Sequence, residues 1–280
     1  MNTLYHWTVR VLKKYGIKPV KRLSQNFLID ESIRNRILDV LALKGQETVL
    51  EVGPGIGNVT HPLLRYAGRV IAVEVDRRLA KVLLSETPKD ELAKLDLIIA
   101  DILKVPPFKV DKVISNVPYH ISSKLTFKLL KEYEFNYAIL AYQKEYAFRL
   151  RAKPGTEDYG RLTVMVSLYG RVEPLFTIPR RAFYPPPRVD SMVVKLVKEP
   201  KLGNADPQVL EWLVRSLFNQ RRKKVVKVLR FSLSKLGASE LANELAEAFK
   251  LRGRRVYELP PSLFLEMAKY LSEKGFRIGN

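Results

Sequence analysis

Ser115-Asn116-Val117-Pro118-Tyr119 is the segment of this sequence whose residue types make the most specific chemical demand. An amide, a proline-stiffened turn and an aromatic ring in succession suit a flat heterocycle that carries an amino group. The exocyclic nitrogen of adenine is such a group, and a poor nucleophile, because its lone pair is delocalised into the ring. Acceptors for its two hydrogens redirect that lone pair outward. Asn116 supplies a side-chain oxygen, Pro118 stiffens the turn so that a backbone carbonyl, that of Val117, points at the same nitrogen, and Tyr119 covers one face of the base. Such a stack is worth ~1–3 kcal/mol. A second face is available from Phe183, held by the run Pro185-Pro186-Pro187 on a stiff extended backbone. Taken alone, Asn116–Tyr119 reads equally as a tight turn with a buried tyrosine, and Phe183 as part of an exposed connector. His120 is read as structural or RNA-facing.

Upstream, Leu50-Glu51-Val52-Gly53-Pro54-Gly55-Ile56-Gly57 closes a strand and opens a helix, and Gly53 and Gly55 let the backbone approach a nucleotide-like ligand closely. The dinucleotide fingerprint needs its third glycine one position later, where Asn58 stands, so a pyrophosphate fits poorly. Glu74 ends the next strand, where a carboxylate accepts both ribose hydroxyls of an adenosine, and Asp101 ends the third, where it accepts from an exocyclic amino group. Each acid by itself reads as well as a solvated strand end or a helix cap. The spacing E-x-G-x-G-x-G is similar to that of class I methyltransferases, whose electrophile is a sulfonium. With such a donor no acid–base dyad is needed, since the methylated nitrogen loses its proton to water afterwards.

Elements that would position these residues are legible. Short β-branched runs at 48–52, 69–75, 95–100, 112–115 and 137–141 alternate with helical stretches near 59–65, 77–85 and 123–132, as in βαβ units. Ligands in such sheets bind at the carboxyl ends of the strands. An apolar stretch after Arg161 and a strand at 192–197 read as the antiparallel finish of the sheet, and 199–207 as a linker. Helical periodicity then runs to the end through Leu210, Leu213, Val214 and Leu217 and later Leu241, Leu245 and Phe249. The expected architecture is α/β, a Rossmann-like, mostly parallel sheet of the class I methyltransferase kind, with a small all-helical C-terminal domain. Its expected parts are a basic N-terminal arm at 1–24, the methyltransferase domain at 25–200 and the helical domain at 207–280.

Charge narrows the partner. In 280 residues, 49 Lys and Arg against 29 Asp and Glu leave +20, which favours a polyanion. Nucleic acid comes before an anionic membrane, because the basic residues are spread over many segments. Arg221, Arg222, Lys223 and Lys224, with Lys227 and Arg230, then Lys250, Arg252, Arg254 and Arg255, read as a cradle for an RNA backbone, or singly as a solvated face. Zero cysteines and three scattered histidines leave no metal site to expect. No apolar run approaches the ~18 residues a membrane span needs, so a soluble, cytoplasmic protein is expected.

Taken together, Gln25-Asn26-Phe27-Leu28, residues 51–57, Glu74-Val75-Asp76, Ala100-Asp101, Asn116–Tyr119 with Ile121-Ser122, and residues 183–191 make the chain resemble the KsgA-type ribosomal RNA adenine N6,N6-dimethyltransferases, in their archaeal-like form. That family also includes the Erm antibiotic-resistance enzymes and mitochondrial relatives. The resemblance implies S-adenosylmethionine as methyl donor, held by Asn26, Leu28, Gly53, Gly55, Glu74, Asp101 and Asn116, with Asn116, Val117 and Tyr119 on the target base and Phe183 stacked on it. It implies a substrate too: two adjacent adenosines in a hairpin loop near the 3′ end of small-subunit ribosomal RNA, free or in a pre-ribosomal subunit. Val117 stands where many relatives carry leucine or isoleucine. A monomer active in ribosome biogenesis is expected. The competing readings are an assembly factor without turnover and an Erm-like enzyme acting on large-subunit RNA or DNA.

Overall fold

Uninterrupted runs of β-branched and apolar residues make strands that are buried on both faces, and such strands need helices on either side. In the computed structural model, which describes residues 3–278, the elements follow as α1 (Thr3–Lys14), β1 (Phe27–Leu28), α2 (Glu31–Leu41), β2 (Thr48–Val52), α3 (Thr60–Tyr66), β3 (Arg69–Glu74), α4 (Arg77–Glu86), β4 (Leu95–Ile99), β5 (Lys112–Asn116), α5 (Ser122–Glu132), β6 (Tyr137–Gln143), α6 (Lys144–Arg149), α7 (Arg161–Tyr169), β7 (Gly170–Ile178), β8 (Phe183–Tyr184), β9 (Ser191–Lys198), α8 (Pro207–Phe218), α9 (Val225–Ser234), α10 (Leu241–Ala248) and α11 (Pro261–Glu273). The first two residues of the expected arm and the last two of the expected helical domain lie outside the described residues.

Seven strands pair in the order β4-β3-β2-β5-β6-β9-β7, with β4 through β6 parallel and β9 antiparallel to β6. This is the expected mostly parallel sheet with an antiparallel finish. From β2 the chain steps outward through β3 to β4, then returns to the other side of β2 with β5. The strand order therefore reverses between β2 and β5, where such sheets bind ligands.

The chain divides into two compact units, residues 1–147 with 172–198 and residues 148–171 with 199–280. Two boundaries differ from those expected. The N-terminal stretch is a folded helix of the first unit and not an arm: Leu4, Thr8, Val11 and Leu12 form one buried face of α1, while Arg10, Lys13 and Lys14 point to solvent. Val11 and Leu12 pack with Phe27, Ile56, Leu79 and Val82. The apolar stretch after Arg161 belongs to the helical unit, because α7 is buried along most of its length and packs on α8 and α11. In that unit the linker ends in a capped helix start, Asp206 accepting from the Gln208 N–H at 2.8 Å with Pro207 in the first turn. Leu210, Leu213, Val214 and Leu217 are fully buried, as their spacing requires.

Lys112 opens β5, the strand whose far end is Asn116. Its buried ammonium donates to the Leu41 and Ala42 carbonyls, at 3.0 and 2.7 Å, and to Glu47 at 3.0 Å, closing the C-terminus of α2 onto the sheet. Removing it strands the Ala42 carbonyl and leaves the Glu47 carboxylate without its counter-charge, while the Leu41 carbonyl keeps the Tyr137 hydroxyl at 2.7 Å. Lys112→Met should therefore lower stability by ~2–4 kcal/mol, read as a shift of the denaturant midpoint. A midpoint unchanged from the parent would show the network to be dispensable.

Candidate active site

At the point where the strand order reverses, a cleft of about 410 Å³ is walled by the ends of the first five sheet strands and by segment 23–28. Gly53 and Gly55 line it with φ of +71° and +63°, which favours glycine. A β-carbon on Gly53 would stand 3.9 Å from the Pro118 ring, so the glycine loop runs directly beside the loop after β5. At the end of β3 the Glu74 carboxylate accepts from the Gly55 N–H at 3.0 Å and from the Asp76 N–H at 2.9 Å. Two backbone donors fix its plane and leave each oxygen a further lone pair, the pattern a vicinal diol needs. After β4, Asp101 Oδ1 accepts from the Leu103 N–H at 3.0 Å, leaving Oδ2 for an amino group. Val75 and Ile102, each following one of these acids, add apolar wall for a heterocycle.

Glu51 is the deepest acid. It is 4% exposed, and its Oε2 has no hydrogen-bond partner among the described residues. Burial, with the nearby Glu74 charge adding to it, pushes its carboxyl up to about 7. Glu74 is also raised by burial. Two desolvated acids in one cleft suit a ligand that carries positive charge, as a sulfonium with an ammonium group does. The residues present therefore fit S-adenosylmethionine.

The opposite side of the cleft is built from β5. Asn116 pairs with Ala141, and its side-chain nitrogen donates to the Asn26 carbonyl at 3.0 Å, which commits the amide's donor end and leaves Oδ1 as the free acceptor. Val117 is buried and its N–H donates to the Ala141 carbonyl at 3.0 Å, so its side chain is committed to the core. Pro118 then turns the chain, the Ile121 N–H closing on its carbonyl at 3.0 Å before α5 begins. Tyr119 is half-buried beside the cleft, its hydroxyl 3.3 Å from Ser191 Oγ, and burial raises its phenol, which stays protonated. His120 and Lys124 are exposed at the mouth. Phe183 forms cleft wall through a two-residue ribbon in which Leu28 faces Phe183 and Phe27 faces Tyr184.

Asn26, Leu28, Gly53, Gly55, Glu74, Asp101, Asn116 and Phe183 thus meet in one cleft, while Val117 and Tyr119 lie outside its lining. Residues 221–224 lie in the other unit, on the turn between α8 and α9 rather than on a helix. Arg222, Lys223 and Lys224 are exposed there, but the Arg221 guanidinium is bonded to the Glu157 and Thr156 carbonyls at 2.8 and 3.0 Å. Sequence reasoning missed Glu51, Gln25 and Asn58 as site residues. Glu51 and Gln25 sit inside motifs already noticed for their glycines and for Asn26, and only burial marks them out.

The sequence profile described as ribosomal RNA adenine dimethylase matches residues 17–273. The chain belongs to that family. A probable ribosomal RNA small subunit methyltransferase A from Methanothermobacter thermautotrophicus is 41% identical over 98% of this chain and 98% of that one. Another of the same description from Methanopyrus kandleri is 42% identical over 91% and 93%. A crystal structure of a dimethyladenosine transferase from Plasmodium falciparum superposes with a TM-score of 0.80 at 28% identity, covering 89% of this chain and 98% of that one. The 23S rRNA methyltransferase ErmE superposes with 0.62 at 27% identity, covering 88% and 100%. Among the described residues of this dimethylase-family chain, no helix is long and apolar enough to cross a membrane, and no group of three or more metal-ligating side chains is gathered.

Glu51 gives the ligand-free protein a pH signature. Its folded-state acidity, about 7, lies above that of an unfolded glutamate, so between the two the folded state holds a proton that the unfolded chain has lost. Stability is therefore full below the unfolded value and falls as pH rises through 7. Relative to the Glu51→Gln variant, the parent should lose stability between about pH 5 and 8 by as much as ~3 kcal/mol, read from thermal or denaturant midpoints. Identical slopes in parent and variant would refute the assignment.

Proposed function

We propose that this chain transfers methyl groups from S-adenosylmethionine to the exocyclic N6 of two adjacent adenosines in a hairpin loop near the 3′ end of small-subunit ribosomal RNA, leaving each dimethylated. The observation that carries the reading is the Asn116 amide, held with its oxygen free at the edge of a cleft whose other walls suit an adenosine with a cationic tail. The donor, when bound, supplies a methyl group on positively charged sulfur. Glu74 binds the ribose hydroxyls, Asp101 the adenine amino group, and Glu51 offsets positive charge. Asn116 Oδ1 and the Val117 carbonyl accept the N6 hydrogens, two in the first transfer and the one that remains in the second, and turn the nitrogen lone pair outward, with Tyr119 and Phe183 bounding the faces of the base. The proton leaves to water. This is catalysis by positioning, with no residue acting as nucleophile.

Arg222, Lys223 and Lys224, with Lys227 and Arg230, contact the RNA backbone, and Arg221 keeps their turn in place. The protein works as a cytoplasmic monomer in ribosome biogenesis. The likeness to ErmE supports the same chemistry on large-subunit RNA as the second reading.

Primer extension on ribosomal RNA treated with the protein and methyl donor should place the modification at two neighbouring adenosines of the small-subunit RNA; stops confined to large-subunit RNA would establish the second reading instead. Asn116→Ala should lose at least ~10²-fold in kcat, since a lone pair left in the ring cannot be offset by binding. Near-parental turnover would sink the acceptor mechanism. Replacing Arg222, Lys223 and Lys224 together by alanine should weaken RNA binding and reduce the slope of log K against log salt by ~2–3, while kcat at saturating RNA holds. An unaltered salt slope would remove these residues from the interface.

A further inference from the structure

Segment 24–28 makes only two strand pairs with β8, yet two of its carbonyls are held by side chains from elsewhere and its own Gln25 side chain ties it to Val20 and Asp76. At one end Gln25 accepts from the Val20 N–H at 2.8 Å and donates to Asp76 Oδ2 at 2.8 Å. At the other, buried Asn58 donates to the Leu28 carbonyl at 2.8 Å and to Thr8 at 2.7 Å. Between these anchors the Asn26 carbonyl receives the Asn116 amide at 3.0 Å, while the Asn26 side chain folds back onto the Ser24 carbonyl at 3.1 Å. The two outer anchors belong to the cofactor side: Asp76 donates its N–H to Glu74, and Asn58 follows Gly57. The middle contact belongs to the base side.

An amide has opposite hydrogen-bonding sense at its two ends. If the Asn26 carbonyl moves, the Asn116 amide loses the contact that fixes its rotation and can present donors where the base needs an acceptor. A displacement of ~1 Å at such a contact can lower a rate by ~10²-fold. Asp76 is well suited to hold Gln25, since it is 8% exposed and is kept ionised at about 2 by the Arg78 guanidinium and then by the Gln25 amide.

We propose that Gln25 is a positioning residue for methyl transfer: by bridging Val20 to Asp76 it holds the Asn26 carbonyl where that carbonyl fixes the Asn116 oxygen toward the target base. The proposal rests on the acceptor role given to Asn116 above. Its consequence is that the strand end carrying Glu74 also sets the geometry on the base side of the cleft.

Gln25→Glu keeps the acceptor for Val20 but sets a second carboxylate against Asp76. Adding Asp76→Asn lets the bond run in the opposite direction, the new amide donating to the new carboxylate. Two readouts separate the latch from the chemistry. Hydrogen exchange of peptides covering residues 20–29 in the ligand-free protein should speed by ~10-fold or more in the single variant and return close to parental in the double variant. With small-subunit RNA, kcat should fall ~10–100-fold in the single variant, KM for RNA shifting less than ~3-fold, and the double variant should recover most of the loss. The proposal is overturned if exchange is unchanged in Gln25→Glu, if kcat stays within ~2-fold of the parent, or if the double variant is no better than the single one. A parent chain that methylates no RNA removes the proposed function instead, with the exchange result still deciding whether Gln25 holds the segment.

Discussion

The parallel pairing of β2 with β5 sets Val52 opposite Ser115, and the Ser115 hydroxyl reinforces it by donating to the Val52 carbonyl at 2.7 Å. Parallel strands end on the same side of a sheet, so the glycine loop that leaves β2 and the Asn116 loop that leaves β5 emerge as neighbours. A slip of one residue would turn Val49, Leu50, Val113 and Ile114, all nearly fully buried, to the wrong faces. The spacing between the two loops is therefore fixed by core packing, and adjustment falls to what covers the cleft. That cover is thin. It comprises segment 24–28 and Phe183, joined by a ribbon two residues long and otherwise held by side-chain amides, so the orientation of Asn116 depends on contacts that no strand ladder enforces.

This division explains what could be read from the residues alone. Apolar runs two-sided enough to be buried in a parallel sheet announced β2 through β6, and the residues ending them, Gly53, Glu74, Asp101 and Asn116, followed from where such sheets bind ligands. Ends were off by a residue, as where β5 takes in Asn116. What stayed hidden depends on partners distant in sequence. Basic residues of α1 masked an apolar face that only Phe27, Ile56, Leu79 and Val82 make meaningful. Residues 27–28 and 183–184 are too short to show any period, so their pairing was invisible although both segments had drawn notice. Arg221 looked like its basic neighbours until the Thr156 and Glu157 carbonyls were found on its guanidinium. Glu51 shared its motif with the glycines, and nothing in composition marks one glutamate as buried.

Burial of Glu51 also resolves a conflict that the bulk charge creates. A chain at +20 attracts a polyanion and should repel a cationic small molecule, yet the proposed reaction needs both. The structure separates the demands by solvent exposure. Arg222, Lys223 and Lys224 lie in water, where their attraction for phosphate is long-ranged and screened by salt, while Glu51 and Glu74 lie where water does not screen them. A buried carboxylate is unfavourable without a counter-charge, as the upward displacement of both acids reflects, and that penalty shrinks when positive charge arrives. The same desolvation that weakens the ligand-free protein thus favours the charged methyl donor over its neutral thioether product, because removing the sulfonium charge restores part of the penalty.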